Sequence, residues 1–263
     1  MTRYQNMDNQ STNHVISNTM TMAYRNLLKT LHNPDNMSDV VMQPVIFTLL
    51  FGYLFGGAIA GSVHAYLPML VPGILIQSIL NAASGSGQQL RTDINAGVFD
   101  RFKTLPISPL APLAGQLVGD VLRLLVSGVM ALVTAAVMGW RPTAGLVDVA
   151  AALLLAIFIG WSVSWIFALV GLLAKDAEMI GSLSMIIILV LTFLSNAFIP
   201  TRTLPPLIQT LVKVNPVTLT ISAMRSLLGN GGWGMDATVV LVSGAVIMAA
   251  FVPLTVWAYR RQG

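Results

Sequence analysis

The sequence has 263 residues, of which 55% are hydrophobic and only 9% are charged. Soluble domains carry about 25% charged residues, so the composition excludes an ordinary soluble domain and indicates a membrane protein. The net charge of +4 is too small to indicate a nucleic-acid partner, and the absence of cysteine excludes disulfides and thiolate chemistry.

The amino-terminal region is polar and precedes the first long apolar run. Within residues 15–32, Ile16 and Leu27 fall on one helical face. Arg25 and Lys29 lie beside that face, which predicts an amphipathic helix in the membrane interface; a cytosolic arm is the alternative. The region lacks the apolar core and cleavage site of a secretory signal, so we expect the amino terminus to stay in the cytoplasm.

Six apolar runs have about the length that a spanning helix requires. They lie at residues 40–61, 66–88, 113–138, 146–173, 179–199 and 237–258. Two glycine pairs with small-xxx-small spacing, Gly52 with Gly56 and Gly57 with Gly61, allow close helix packing in the first run. The predicted fold class is therefore an all-α integral membrane protein of six spans, forming one transmembrane domain over residues 1–263.

The distribution of lysine and arginine predicts the orientation. With both termini inside, ten of the 14 basic residues fall on the inner side and four on the outer side, in agreement with the positive-inside rule. The four outer residues are Arg141, Arg202, Lys213 and Arg225. We therefore expect a multi-pass protein of the inner, cytoplasmic membrane with cytoplasmic amino and carboxyl termini.

The inner half of the second run is unusually polar for a membrane span. Gln77, Asn81, Ser84 and Gln88 recur along it. Such side chains are costly against lipid and favour the bundle interior or a cavity. They are candidates to line a transport path; an ordinary network of interhelical hydrogen bonds is the alternative.

The loop that follows carries charge between two apolar runs. Residues 94–104 predict a short helix with Phe99 and Phe102 on one face and Asp100, Arg101 and Lys103 on the other. Pro106 ends it, because proline disfavours a helical conformation in the residue before it. Two exposed phenylalanines are costly in water, so they dock onto a surface, either the ends of this protein's own spans or a partner.

Prolines divide residues 200–229 into pieces too short to cross a membrane. The pattern predicts two half-helices that enter the outer leaflet and return, with Lys213 and Arg225 reaching the lipid headgroups. A surface hairpin outside the bilayer is the alternative. The candidate residues of this outer re-entrant segment are Asn196, Pro200, Asn215, Pro216 and Arg225.

The sequence contains no phosphate-binding loop, because no lysine follows a glycine. The three histidines lack ligand spacing, so no metal site is expected. Asp120 and Arg123 are read first as an i,i+3 ion pair, and a role in an ion pathway is the alternative. We expect neither catalysis nor a cofactor in this chain.

Two runs resemble permease subunits of the type-2 ABC exporter family, especially its daunorubicin-resistance branch. Residues 91–123 are similar to the family's cytoplasmic loop; their sequence is RTDINAGVFDRFKTLPISPLAPLAGQLVGDVLR. The features that they share with that loop are Gly97, Asp100, Arg101, Phe102, Leu105, Pro106, Gly115 and Asp120. Residues 193–229 are similar to the segment after the fifth span, and there the shared features include Ser195, Asn196, Ala197, Phe198, Pro200, Pro205, Asn215, Pro216, Val217 and Arg225.

The resemblance implies a permease whose inner loop docks into a groove of a separate ATPase subunit, which would bind ATP and Mg. Carried onto this sequence, the ATPase-coupling residues are Gly97, Val98, Phe99, Asp100, Arg101, Phe102 and Lys103. It also implies a second permease, either another copy or a sister subunit, among membrane lipids. The expected function is outward transport of an amphipathic drug-like or lipid-like compound. The alternatives are export of polysaccharide or teichoic acid, or a non-transporting membrane anchor.

Overall fold

The computed structural model describes residues 34–98, 111–229 and 232–262, with the side chains of residues 40–98, 112–229 and 232–261. This part of the chain is helical and has no strand, as the composition predicts. The predicted interfacial helix at residues 15–32 lies outside it. The helices are α1 (Pro34–Ala60), α2 (Val63–Asn95), α3 (Ala111–Val137), α4 (Leu146–Leu173), α5 (Ala177–Phe193), a 3-10 helix (Thr201–Thr203), α6 (Pro206–Val214), α7 (Pro216–Gly229) and α8 (Met235–Gln262).

Within the described ranges, five helices are long and apolar enough to cross a membrane: α1, α2, α3, α4 and α8. The fifth predicted span corresponds to α5, which has 17 residues and ends at Phe193 instead of residue 199. Its end is set by Ser195, whose hydroxyl donates to the Thr192 carbonyl oxygen and accepts from the Ala197 amide. At 1.5 Å per residue α5 is about 26 Å long, slightly less than the hydrocarbon core of about 30 Å.

Helix α2 forms the centre of the bundle. In the most apolar 18-residue stretch of each helix, 72% of the residues are buried in α2 but only 17% in α8. Helices α1, α3, α4, α5 and α7 all pack against α2. The largest fully buried side chains of α2 are Tyr66, Leu67, Leu70, Ile74, Leu75, Ile76, Ile79 and Leu90.

Contacts between distant residues define the two ends of the bundle. A small cluster joins Leu90 of α2, Leu113 of α3 and Leu172 of α4 with the last turns of α8. At the other end, the Tyr66 hydroxyl donates to the Phe198 carbonyl oxygen over 2.8 Å. The first end contains the segments predicted to be inner and the second those predicted to be outer.

Helices α2 and α4 cross at two glycines. A Cβ atom on Gly171 would lie 2.5 Å from the Gly87 carbonyl oxygen, and one on Gly87 would lie 2.3 Å from the Phe167 carbonyl oxygen. The predicted pairs in α1 differ from this crossing: a Cβ on Gly57 meets nothing within 4 Å, and one on Gly56 lies 2.7 Å from the Cα of Val63, the first residue of α2. Gly87 and Gly171 therefore bring the backbones of α2 and α4 into direct contact.

Candidate functional site

The segment predicted to couple with a partner begins directly after α2. Ile94 and Asn95 are the last residues of α2, so the coupling helix does not start at residue 94 as predicted. Ala96 and Gly97 form a turn, and Gly97 has a φ of +66°, a left-handed conformation that glycine adopts without strain. Val98 is helical again. The predicted docking residues Phe99, Asp100, Arg101, Phe102 and Lys103 lie outside the described residues.

The turn between α4 and α5 lies beside this end of α2. Arg91 Nε donates a hydrogen bond of 2.9 Å to the Lys175 carbonyl oxygen. Lys175, Asp176 and Glu178 are exposed. The end of α2 and the α4–α5 turn thus present charged groups on one surface, next to the point where the predicted coupling segment begins.

The four candidate path-lining residues of α2 do not share one environment. Gln77 and Ser84 are buried in helix contacts, whereas Asn81 and Gln88 are half-buried. Asn81 Nδ2 donates to the Gln77 carbonyl oxygen over 2.9 Å, and the Ser84 hydroxyl donates to the Asn81 carbonyl oxygen over 2.8 Å. Only Asn81 and Gln88 of the four line the polar cavity described below.

Asp120 and Arg123 form a buried ion pair on α3, with Arg123 Nη2 3.1 Å from Asp120 Oδ1. The same Nη2 donates to the Ser86 hydroxyl over 3.2 Å, which ties α3 to the polar half of α2. Gln116 Nε2 adds a hydrogen bond of 2.9 Å to the Ser86 carbonyl oxygen. Among the described residues, Asp120 Oδ2 and Arg123 Nε have no hydrogen-bond partner. The pair predicted from spacing therefore belongs to a polar contact between two helices.

A cavity of about 110 Å³ lies next to this ion pair, between the inner ends of α1, α2 and α3. Five polar side chains line it together with Val40, Ala82 and Gly85; they are Gln43, Asn81, Gln88, Gln89 and Arg123. Gln43 and Gln116 are not among the residues predicted from the sequence. Each is a single amide in an otherwise apolar stretch, and that isolation is the signal that marks a side chain facing protein or cavity instead of lipid.

At the outer end, Asn215 joins three segments. Its Nδ2 donates to the Leu191 and Leu194 carbonyl oxygens over 2.6 and 2.7 Å. Its Oδ1 accepts from the Val217 amide over 2.9 Å and so caps α7, whose first residue is Pro216. The break predicted between two short helices is therefore present, and Asn215 holds it against the end of α5.

Arg225 lies inside this outer region. Its Nη2 donates to the Asn196 carbonyl oxygen over 3.0 Å and to the Met69 carbonyl oxygen over 3.3 Å. Asn196 Nδ2 in turn donates to the Ser222 hydroxyl over 2.9 Å. The expectation that Arg225 reaches the headgroups is wrong, because its guanidinium satisfies backbone carbonyls of α2 and of the turn after α5. Lys213 is exposed, and Pro200 precedes the 3-10 helix.

The fold and the site are those of a multi-pass helical membrane protein. The polar half of its central helix, α2, faces the bundle interior. A profile of the ABC-2 type transporter family matches residues 17–228, which is most of the chain, and the protein belongs to this family. The family implies an ATPase partner for this chain.

Several curated proteins are similar to the chain. The daunorubicin resistance ABC transporter permease protein DrrB1 of Streptomyces coeruleorubidus is 39% identical over 247 residues, which cover 94% of this chain and 87% of the relative. The doxorubicin resistance ABC transporter permease protein DrrB of Mycobacterium tuberculosis is 31% identical over 132 residues, covering 50% of this chain and 46% of the relative. The inner membrane transport permease YadH of Escherichia coli is 29% identical over 199 residues, covering 70% and 72%.

Proposed function

We propose that this chain is the transmembrane permease of an ABC exporter that moves an amphipathic drug-like or lipid-like compound out of the cell. The observation that carries the proposal is the similarity to DrrB1, which extends over 94% of the chain at 39% identity. The names of DrrB1 and of the mycobacterial DrrB protein both refer to resistance to a drug. These names favour a drug-like cargo over a polysaccharide or teichoic acid.

In this proposal the chain contributes no catalytic residue and no cofactor of its own. ATP and Mg are bound by the partner ATPase, which docks on residues 97–103. The turn at Gly97 supports this arrangement, because its left-handed backbone lets the chain leave the axis of α2 without strain. Motion of the ATPase would then act on the central helix of the bundle. Two permeases, identical or sister subunits, would complete the exporter.

We also propose six membrane crossings, with both termini cytoplasmic in the inner membrane and the 200–229 segment entering the outer leaflet. Helix α5 is the short crossing, and a locally thinner bilayer accommodates it at modest cost. The chain has no cysteine, so a single introduced cysteine reports its side of the membrane. We expect an impermeant maleimide added to whole cells to label Arg202→Cys but not Arg101→Cys. Labelling of Arg101→Cys from outside would contradict the orientation.

The coupling proposal is tested by the double variant Phe99→Ala with Phe102→Ala. We expect it to insert and purify normally but to lose co-purification with its ATPase partner and to lose ATP-driven drug uptake into inside-out vesicles. The matched control is Leu207→Ala with Leu211→Ala, two exposed apolar residues of α6 at the outer end. Normal co-purification of the ATPase with the phenylalanine variant would contradict the assignment of residues 97–103 to ATPase docking. If the wild-type chain binds an ATPase but moves no drug, it is a non-transporting membrane anchor.

A further inference from the structure

The cavity beside Arg123 is lined by polar side chains, and the proposed transport function does not by itself explain why they are there. Its polar groups come from three helices: Gln43 from α1, three side chains from α2, and Arg123 from α3. The guanidinium lies against Gly85, where a Cβ atom would stand 2.9 Å from Nη1. Gly85 therefore makes room for the arginine in the wall of the cavity.

The cavity combines hydrogen-bond donors and acceptors without a net charge. Arg123 supplies N–H donors, and Asp120 at 3.1 Å neutralises its charge. Asn81 and Gln89 use their amide nitrogens for the Gln77 carbonyl oxygen and for Asp93 Oδ1, both at 2.9 Å. Their amide oxygens remain as acceptors. An anion would be attracted only weakly here, whereas a hydroxyl group, which both donates and accepts, matches the lining.

The size and depth of the cavity fit a compact polar head group. A volume of 110 Å³ corresponds to about four water molecules at roughly 30 Å³ each, which is the space of the hydroxylated edge of one small ring. Gly85 lies ten residues before the end of α2 at Asn95, or about 15 Å along the helix axis. The half-buried Gln43, Asn81 and Gln88 show that the wall is not sealed. A head group here would leave its apolar tail among the apolar residues of the spans.

We propose that this cavity binds the uncharged, multiply hydroxylated head of an amphipathic compound, such as a single sugar ring, on the inner side of the bundle. The inference rests on the proposed export function, since it assigns the cavity to cargo. The same chemistry is offered by the sugar of a glycosylated drug and by the head group of a glycolipid. The experiment therefore contains one arm for each source.

The test uses the full chain in phosphatidylcholine vesicles, without nucleotide or ATPase partner. The probe is an alkyl glucoside with a photoreactive diazirine in its alkyl chain, compared with the same alkyl diazirine that ends in a single hydroxyl. We expect the glucoside to label α1, α2 and α3 half-maximally at about tenfold lower concentration than the alcohol, because several amide hydrogen bonds are gained. Equal concentration dependence for the two probes would overturn the proposal.

Two variants connect the labelling to the cavity. Gln43→Leu removes one half-buried amide, and Gly85→Ala displaces the guanidinium; each should weaken glucoside labelling about fivefold without changing alcohol labelling. Gln209→Leu, the same change as at Gln43 but on α6, should leave both unchanged. Size-exclusion profiles and melting temperatures verify that the variants fold. Unchanged glucoside labelling in a folded Gln43→Leu protein would overturn the proposal.

Competition identifies the source of the head group. Displacement by etoposide, an uncharged drug that carries a glucose-derived ring, supports a drug, displacement by a glucosyl-diacylglycerol supports a lipid, and displacement by neither overturns the assignment to cargo. This assay includes no ATPase, so its failure is independent of the export proposal. A chain that shows efflux with its partner but no glucoside preference would retain the proposed function and lose this site.

Discussion

Replacing Gly171 by alanine tests the close packing of α2 against α4. In Gly171→Ala the new methyl carbon would lie 2.5 Å from the Gly87 carbonyl oxygen, 2.9 Å from its Cα and 3.0 Å from its carbonyl carbon. All three atoms belong to the backbone, so no side-chain rotation relieves the contact. The two helices must separate, and overpacking of this kind costs about 1–3 kcal/mol.

The matched control is Gly57→Ala in α1, where the new methyl group meets nothing within 4 Å. Alanine has a higher helix propensity than glycine by about 1 kcal/mol, so this variant should melt at the wild-type temperature or slightly above it. For a chain of this size about 1 kcal/mol corresponds to roughly 2–4 °C, so a cost of about 1–3 kcal/mol should lower the melting temperature of Gly171→Ala by about 2–12 °C.

The assay is thermal unfolding of both variants in the same detergent, followed by tryptophan fluorescence. Gly171→Ala should also lose drug efflux if the crossing holds α2 in place during transport. A melting temperature of Gly171→Ala equal to or above that of Gly57→Ala would refute the close backbone contact.

Three further predictions concern the outer end. Tyr66→Phe leaves the buried Phe198 carbonyl oxygen without its donor and should cost about 1–3 kcal/mol, seen as a lower melting temperature with unchanged insertion. Asn215→Ala removes the cap of α7 and two further hydrogen bonds, so it should cost about 2–3 kcal/mol; an unchanged melting temperature would contradict that role. Arg225→Met should cost about 1.5–3 kcal/mol through two lost carbonyl contacts, whereas Lys213→Met, at an exposed position, should be neutral in the same melting assay.

Much of the architecture follows from composition and local pattern. Long apolar runs predict helices that cross a membrane, because backbone groups in lipid must be satisfied within the segment. The prolines similarly predict the break between α6 and α7, since proline favours the first turn of a helix. The spacing of Asp120 and Arg123 predicts their ion pair.

Other features depend on distances between residues that are far apart in sequence. Sequence reasoning expected Arg225 to reach the headgroups, but two backbone carbonyls from other segments hold it inside the protein. The glycine pairs of α1 have the motif spacing, yet the tight crossing occurs between Gly87 and Gly171 on different helices.

The sequence by itself determined the helical membrane class, the positions of most spans and the family of permeases that the chain belongs to. The tertiary structure alone decided which polar groups share a cavity and which glycines meet. The physical reason is that membrane insertion depends on the polarity of each local segment, whereas a binding site depends on which helix faces are brought together. Gln43 is an example. It is a single amide in an apolar run, and it lines the cavity only because α1 packs against the polar half of α2.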